Sequence, residues 1–331
     1  MKTVHYYPSP KPNGEYSNPY SMHYRDALGK YFKVVDTQLW KGDILPLELV
    51  FSALFRGDIY IFNWIENFGY KHLKKIQQFL ILLCFKINKS RGKKLVWMYH
   101  NIHPHSNDSL FSNRIRNFLF ENADLIIAHS KEAAVFAKHH TKKENVIFRH
   151  HPIVTPLKGL PKEETRTIDV LIWGEIYPYK GVLEFVQYMN SKDNMLNIQI
   201  IGRCKDKVLA QAINEQCNEH IHFQNTRVEF TELKVLIAKS KFVLFPYIGD
   251  CVSSSGALID TIAMGGNSLG PKVGAFKDLE EEGCCLTYAD YDEMVSILNS
   301  DRKIYKSKVD LFLSNNSWDS FANSIIEKLN T

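Results

Sequence analysis

The feature that most constrains the fold is a regular alternation of short apolar runs with segments of helical spacing. The apolar runs lie at 2–7, 32–36, 57–68, 94–99, 124–130 and 147–154, and then at 167–173, 197–202, 221–224, 241–247 and 284–288. Strands that alternate with helices are typical of parallel sheets, because a parallel pair needs a crossover connection. The sequence therefore predicts an α/β protein with buried parallel strands.

The alternation lapses once, at 155–166, where two prolines, a glycine and mixed charge indicate a linker. With 331 residues, each half is long enough to bury its own core. We expect two doubly wound domains, 1–155 and 167–315, and a closing helix within 316–331. Ligands of such sheets collect at the carboxyl ends of the strands.

Composition places the chain among globular proteins of the cytoplasm. Hydrophobic residues make up 45% and charged residues 23%. The six cysteines show no C-x-x-C spacing, so we interpret them as reduced thiols. The start of the chain does not resemble a signal peptide, and the apolar run 79–85 is too short to span a bilayer.

Charge is distributed unevenly along the chain. Residues 1–160 hold 23 Lys and Arg against 12 Asp and Glu, and the remainder holds 18 against 24. A basic half favours an anionic partner. No nucleic-acid-binding motif is present, so we do not expect nucleic acid to be that partner. The segment 70–94, basic at both ends around an apolar centre, suggests an anionic membrane surface. A buried helix followed by a solvated basic loop would give the same pattern.

Two strand-to-helix junctions in the second half suit a bound phosphate. In the first, Gly174 and Pro178 shape a loop that places Lys180 just before a helix. In the second, Ser254, Ser255 and Gly256 precede a helix, and small residues there let an anion approach the free N–H groups. Asp260 lies one turn further along the same face. An ordinary capped helix and a solvated lysine remain the alternatives at each junction.

These motifs resemble those of family 4 glycosyltransferases, of the type that builds bacterial surface glycans. The matching positions are Gly174, Ile176, Pro178–Gly181, Pro246–Tyr247, Ser255–Leu258 and Gly274, with 96–105, 124–130 and the helix from Trp318. The resemblance implies the GT-B fold, with two Rossmann-like domains facing a central cleft. Domain 1–155 would bind the acceptor, 167–315 the donor, and the terminal helix would return to the first domain.

The activity that the resemblance implies is retaining, metal-independent transfer of a sugar from a UDP- or GDP-sugar to a glycan or lipid-linked glycan. It implies no resident cofactor, and a cytoplasmic enzyme at the inner face of the membrane. Catalytic roles would fall to His100, near the transferred sugar, and to Lys180, on the diphosphate. Donor binding would involve Gly14, Gly174, Lys180, Arg203, Ser254, Ser255, Gly256, Ala257 and Asp260, and acceptor binding Asn101 and His103.

Two positions depart from the family pattern. Glu175 stands where the family commonly has an arginine, for which Arg203 could substitute. Val252 stands at the first of two glutamates, and Asp260 at the second, which usually contacts the ribose. A degenerate transferase that only binds nucleotide or glycan therefore remains an alternative, as do an epimerase or phosphorylase of the same fold.

His100, His103 and His105 could suggest a metal, but we interpret them as polar loop residues.

Overall fold

The computed structural model describes residues 1–7, 19–36, 47–55, 57–67, 73–100, 102, 110–153, 166–192, 195–249 and 252–330. The chain forms two compact units. Unit 1 contains residues 1–152 together with 318–331, and unit 2 contains 153–317. The sequence placed the division within 155–166, most of which lies outside the described residues.

Unit 1 is built on a six-stranded parallel sheet with the order β2-β1-β3-β4-β5-β6. Its strands are β1 (Thr3–Tyr7), β2 (Lys33–Asp36), β3 (Ile59–Asn63), β4 (Lys94–Tyr99), β5 (Leu125–Ala128) and β6 (Val146–Phe148). Its helices are α1 (Pro19–Gly29), α2 (Leu47–Phe55), α3 (Lys74–Ser90), α4 (Leu110–Asn122), α5 (Lys131–His140) and α13 (Trp318–Asn330). The strands β3, β4 and β5 are buried almost throughout, as expected for parallel strands covered on both faces.

The terminal helix α13 packs on α1 within unit 1. Trp318, Phe321 and Ile325 share one apolar core with Tyr24 and Leu28. Because these side chains are buried in that core, the last residues of the chain complete the first unit.

Unit 2 repeats the architecture with the strand order β12-β11-β10-β7-β8-β9. Its strands are β7 (Ile168–Trp173), β8 (Ile198–Ile201), β9 (Ile221–Gln224), β10 (Ser240–Leu244), β11 (Ser268–Pro271) and β12 (Leu286–Tyr288). Its helices are α6 (Val182–Ser191), α7 (Lys207–Glu215), α8 (Phe230–Ala238), α9 (Gly256–Ala263), α10 (Gly274–Glu281), α11 (Tyr291–Leu298) and α12 (Lys306–Asn315). Two doubly wound parallel sheets confirm the expected GT-B fold class.

Some elements escaped the sequence analysis. Helices α2, α10 and α12 and strand β11 were not predicted. Strand β11 spans Ser268–Pro271, with a glycine and a proline that normally argue against a strand. It forms because β10 and β12 pair with it on both sides.

Candidate functional site

The order of strands in each sheet marks where a ligand is expected. In unit 2 the chain runs from β7 outward through β8 to β9, and then returns to β10 on the other side of β7. The loops that follow β7 and β10 therefore diverge and leave a crevice at their carboxyl ends. In unit 1 the corresponding point lies between β1 and β3.

The loop after β7 brings three predicted residues together. A Cβ placed on Gly174 would lie 3.7 Å from both Lys180 Nζ and Ala257 Cβ. Gly181 has φ +63°, and a Cβ there would come within 2.1 Å of the Pro246 carbonyl oxygen. A side chain at Gly181 would thus force the two loops apart. The close approach places Lys180 against the loop after β10.

Tyr247 connects Lys180 to the start of α9. The Lys180 ammonium lies over the Tyr247 ring, 5.3 Å from its centroid, and the two side chains form a hydrogen bond. The Tyr247 hydroxyl is 3.1 Å from Ser255 Oγ, which in turn accepts the N–H of Leu258 as the N-cap of α9.

Burial lowers the pKa of Lys180, but the surrounding Tyr247, Tyr179 and Glu175 outweigh it and raise the pKa above the usual lysine value. The lysine is therefore a cation.

The first turn of α9 offers N–H groups to a ligand. Among the described residues, no acceptor is found for the N–H groups of Gly256 and Ala257. Gly256 is exposed, Ser254 is half-buried, and Ser255 is buried because its side chain caps the helix. Free N–H groups at a helix start, beside a lysine, form a site for an anion.

Asp260 lies one turn into α9, half-buried. Within the described part of the chain, no side chain pairs with its carboxylate. Burial raises the pKa of Asp260 to about 7. A carboxylate in this state is stabilised by any ligand hydroxyl that donates a hydrogen bond to it.

Arg203 and Glu175 lie on neighbouring loops. The Arg203 carbonyl accepts the Ile176 N–H at 3.0 Å, but the Arg203 side chain is exposed. Glu175 accepts a hydrogen bond from the Tyr177 hydroxyl at 2.6 Å and lies 3.8 Å from Lys205 Nζ. The backbone of Arg203 is thus fixed to the loop of Gly174, whereas its guanidinium is not held against Lys180.

His100 follows β4 in unit 1 and is buried, with 4% of its surface exposed. Its ring stacks on Trp64 with centroids 4.4 Å apart, and its Nε2 lies 3.2 Å from Asn63 Oδ1. Burial, followed by the nearby His129 and His151, holds the pKa of His100 well below its usual range. His100 is therefore a neutral imidazole at physiological pH.

His129 and His151 extend this cluster along the sheet edge, after β5 and β6. His129 Nε2 is 2.9 Å from the Tyr20 hydroxyl, and its Nδ1 lies 2.9 Å from the Arg149 carbonyl oxygen. Because a carbonyl accepts only, Nδ1 carries the proton. Burial lowers the pKa of His129 to about 3 and that of His151 to about 4. The sequence analysis missed His129, although its place after a strand was a usable signal.

Three predicted residues, Gly14, Asn101 and His103, lie outside the described residues. Ile102 is described, and buried Arg116 donates hydrogen bonds to its carbonyl at 2.7 Å and to the Tyr99 hydroxyl at 3.0 Å. Arg116 therefore connects the end of β4 with Ile102, two residues after His100.

The described residues contain no group of three or more His, Cys, Asp and Glu side chains able to hold a metal ion. His103 and His105 lie outside those residues. None of the helices described is both long and apolar enough to cross a membrane.

Comparison with solved structures gives matches that cover most or all of this chain. HepE from Anabaena, in complex with UDP and glucose, is 15% identical with a TM-score of 0.69, and the alignment covers 100% of both chains. The lipopolysaccharide outer core galactosyltransferase WaaB is 12% identical with a TM-score of 0.66, covering 99% of this chain and 100% of WaaB. Staphylococcus aureus TarM, in complex with UDP and other ligands, is 14% identical with a TM-score of 0.58, covering 82% of this chain and 55% of TarM.

No protein-family model and no curated protein matches the chain. At these identities the structural matches establish the fold, which is that of GT-B glycosyltransferases.

Proposed function

We propose that this protein is a glycosyltransferase that moves a sugar from a UDP-sugar to a glycan or lipid-linked acceptor. The observation that carries the proposal is the cluster of Lys180, Tyr247 and Ser255 at the start of α9, with Asp260 one turn further on. A cation and free N–H groups suit a diphosphate, and a carboxylate at this distance suits the ribose hydroxyls. The structural matches in complex with UDP and UDP-glucose favour UDP over GDP.

Charge development explains why these groups matter. When the bond between the sugar C1 and the diphosphate oxygen breaks, negative charge accumulates on the leaving UDP. Lys180 and the N–H groups of Gly256 and Ala257 would stabilise that charge more in the transition state than in the ground state. We infer that this arrangement replaces a metal ion and that the anomeric configuration is retained. In unit 1, His100 would bind a sugar hydroxyl.

The decisive experiment is a donor panel. The protein is incubated with UDP- and GDP-linked sugars and a lipid-linked glycan acceptor, with and without EDTA. We expect a glycosylated acceptor of retained anomeric configuration from a UDP-sugar, and an unchanged rate with EDTA. Transfer from GDP-sugars alone, inversion, or loss of activity with EDTA would each contradict the corresponding part of the proposal.

A second function is favoured by one observation. Glu175, in place of the family's arginine, pairs with Tyr177 and Lys205 rather than adding positive charge beside Lys180. A subunit that binds nucleotide without turnover would tolerate that loss. Binding of UDP with no transfer across the whole panel would support it over the transferase.

We further propose that unit 1 contacts an anionic membrane surface through α2 and α3. Four large apolar side chains on these packed helices are exposed: Leu47, Phe51, Ile76 and Phe79. Exposed Lys75 and Lys86 flank them on α3. Apolar side chains framed by lysines suit the interface of a bilayer with anionic lipids.

Vesicle sedimentation tests the membrane surface. Phe51→Ser with Phe79→Ser should reduce binding to vesicles that contain phosphatidylglycerol, because insertion loses two aromatic side chains. Val208→Ser with Leu311→Ser, two exposed apolar residues of unit 2, is the matched control. Equal sedimentation of both double variants and the wild type, or binding that does not depend on anionic lipid, would contradict the proposal.

A further inference from the structure

Asn63 is a buried polar residue at the point of unit 1 where a ligand is expected. It is the last residue of β3, directly beside the crevice between β1 and β3, and only 1% of its surface is exposed. Nothing in the sequence pattern marks it, because it ends an apolar run. Buried amides of this kind are kept where their hydrogen bonds fix a geometry.

The orientation of the Asn63 amide follows from its two neighbours. Asn63 Nδ2 lies 3.2 Å from the Tyr7 carbonyl oxygen, at the end of β1. Because a carbonyl oxygen can only accept, the NH2 group must face Tyr7 and Oδ1 must face His100 Nε2, 3.2 Å away. An amide oxygen also accepts only, so His100 Nε2 has to carry the proton. The lone pair of the neutral imidazole is then on Nδ1.

Trp64 fixes the plane of the same ring. Its backbone has φ +49°, in the left-handed region that an aromatic residue seldom adopts. This conformation turns the indole onto His100. The two rings are stacked, with their centroids 4.4 Å apart and an angle of 16° between their planes. Tyr20 contacts the edge of the ring, with centroids 5.1 Å apart. A strained residue that holds a potential ligand-binding side chain suggests a functional constraint.

The Nδ1 atom of His100 is available to a ligand. Among the described residues, none donates a hydrogen bond to it. The titratable groups that face His100 are Tyr20 from α1, His129 after β5 and His151 after β6. His129 and His151 are neutral at physiological pH. No charged side chain of the described chain therefore supplies a reason for His100 to bind a second proton.

We propose that Asn63 is a positioning residue that holds His100 as the Nε2–H tautomer and presents Nδ1 as the acceptor for a substrate hydroxyl. Trp64 holds the ring in the orientation in which Nδ1 accepts. The inference rests on the proposed transferase function for the identity of the ligand, a sugar hydroxyl, but the tautomer itself is independent of that function.

Nitrogen NMR reads the tautomer directly. Long-range 1H–15N spectra of 15N-histidine-labelled protein distinguish Nε2–H from Nδ1–H rings, and His100→Gln identifies the His100 signals. We expect the wild type to give the pure Nε2–H pattern at pH 7. In Asn63→Ala, the 15N chemical shifts of the His100 ring should move toward those of free histidine, in which both neutral tautomers are populated. The matched control is Asn88→Ala, another buried asparagine of unit 1, which bonds to Cys84 Sγ and should leave the His100 signals unchanged.

An Nδ1–H or doubly protonated His100 in the wild type would overturn the proposal. So would wild-type shifts in Asn63→Ala. Both NMR results are obtained without an activity assay. If no transferase activity is found, that finding counts against the proposed function and leaves the test of the tautomer valid.

Kinetics test whether the positioning matters to the reaction. Asn63→Ala should lower kcat about ten- to a hundredfold, with UDP-induced thermal stabilisation unchanged, since UDP is proposed to bind unit 2. Asn63→Asp keeps an acceptor for Nε2–H, so it should recover activity at pH 8. Its carboxylate also raises the pKa of His100, so activity should fall at a higher pH on acidification than in the wild type. Unchanged kcat in Asn63→Ala would overturn the positioning role.

Discussion

The two units present opposite chemistry at the same edge of similar sheets. In unit 2, the residues after β7 and β10 include a cationic lysine, a half-buried carboxylate and helix N–H groups for which the described residues provide no acceptor. In unit 1, Trp64 after β3, His100 after β4, His129 after β5 and His151 after β6 are aromatic rings in contact with one another, and the three histidines are neutral. One edge suits an anion and the other suits neutral hydroxyl groups. A shared fold therefore leaves binding chemistry to the side chains at the strand ends.

The largest expected effect is on the charged edge. Lys180→Ala should lower kcat/KM, because the proposed leaving diphosphate loses its nearest cation. The lower kcat/KM should correspond to a loss of about 2–4 kcal/mol of transition-state stabilisation. Steady-state kinetics with the best UDP-sugar measures it. Lys205→Ala is the control, since Lys205 pairs with Glu175 on an adjacent loop. Near-normal turnover in Lys180→Ala would remove this residue from the site.

Acid should destabilise the protein through the histidines of unit 1. His129 has a folded pKa of about 3 against the ordinary 6.5, because burial disfavours its charged form. Its folded pKa is depressed, so the unfolded chain binds a proton first, and stability is lost as pH falls from about 6.5 toward 3. The loss by pH 4 from this group is about 3 kcal/mol.

Urea unfolding at several pH values between 4 and 7 measures that loss. His129→Gln should be less stable than the wild type at pH 7, yet its stability should fall less steeply on acidification. His140→Gln, an exposed histidine of α5, should keep the wild-type slope. Identical slopes for His129→Gln and the wild type would contradict the buried neutral state.

Asp260 should give unit 2 the opposite pH dependence. Burial raises its folded pKa from about 3.8 to about 7. The folded state therefore holds its proton longer than the unfolded chain, and stability is lost as pH rises through that interval. Asp260→Asn should match the wild type at pH 4 and exceed it by a few degrees in Tm at pH 8.

Thermal unfolding of the two proteins without ligand provides this test. Asp292→Asn, at an exposed carboxylate of α11, serves as the control, and its Tm difference from the wild type should not grow toward pH 8. A constant difference between Asp260→Asn and the wild type across this pH range would show that Asp260 is not held protonated.

The smallest effect concerns the contact between the loops that follow β7 and β10. Tyr247→Phe keeps the ring over Lys180 but loses the hydroxyl, which contacts Ser255 and forms a hydrogen bond with Lys180. We expect kcat/KM for the UDP-sugar to fall. The fall should correspond to a loss of about 0.5–1.5 kcal/mol of transition-state stabilisation, the typical net value of a hydrogen bond. Tyr179→Phe, on the exposed neighbouring tyrosine, should change less. Equal kinetics for both variants would show that Tyr247 does not connect the loops functionally.

The fold class followed from the sequence because the alternation of apolar runs and helical spacing is a local property. The start of α9 at Gly256 could be located for the same reason, since Ser255 is a local cap. Strand β11 could not be located, because its glycine and proline become a strand only by pairing with β10 and β12.

The candidate site shows the same limit. Gly174, Lys180 and Ala257 were chosen from motifs, and the structure does bring them together, although their roles stay predictions. Asn63, by contrast, ends a run of apolar residues and has no motif. Its importance depends on the Tyr7 carbonyl, 56 residues earlier, and on His100, 37 residues later. Contacts of that range depend on strand order, which a single sequence does not specify.

The central claim is that the start of α9 and Lys180 hold the diphosphate of UDP. A crystal structure of the protein with UDP tests it most directly. The account predicts phosphate oxygens in contact with Lys180 Nζ and with the N–H groups of Gly256 and Ala257, and ribose hydroxyls on Asp260. A diphosphate bound elsewhere, with Lys180 still directed at Tyr247 and no ligand at the start of α9, would contradict it.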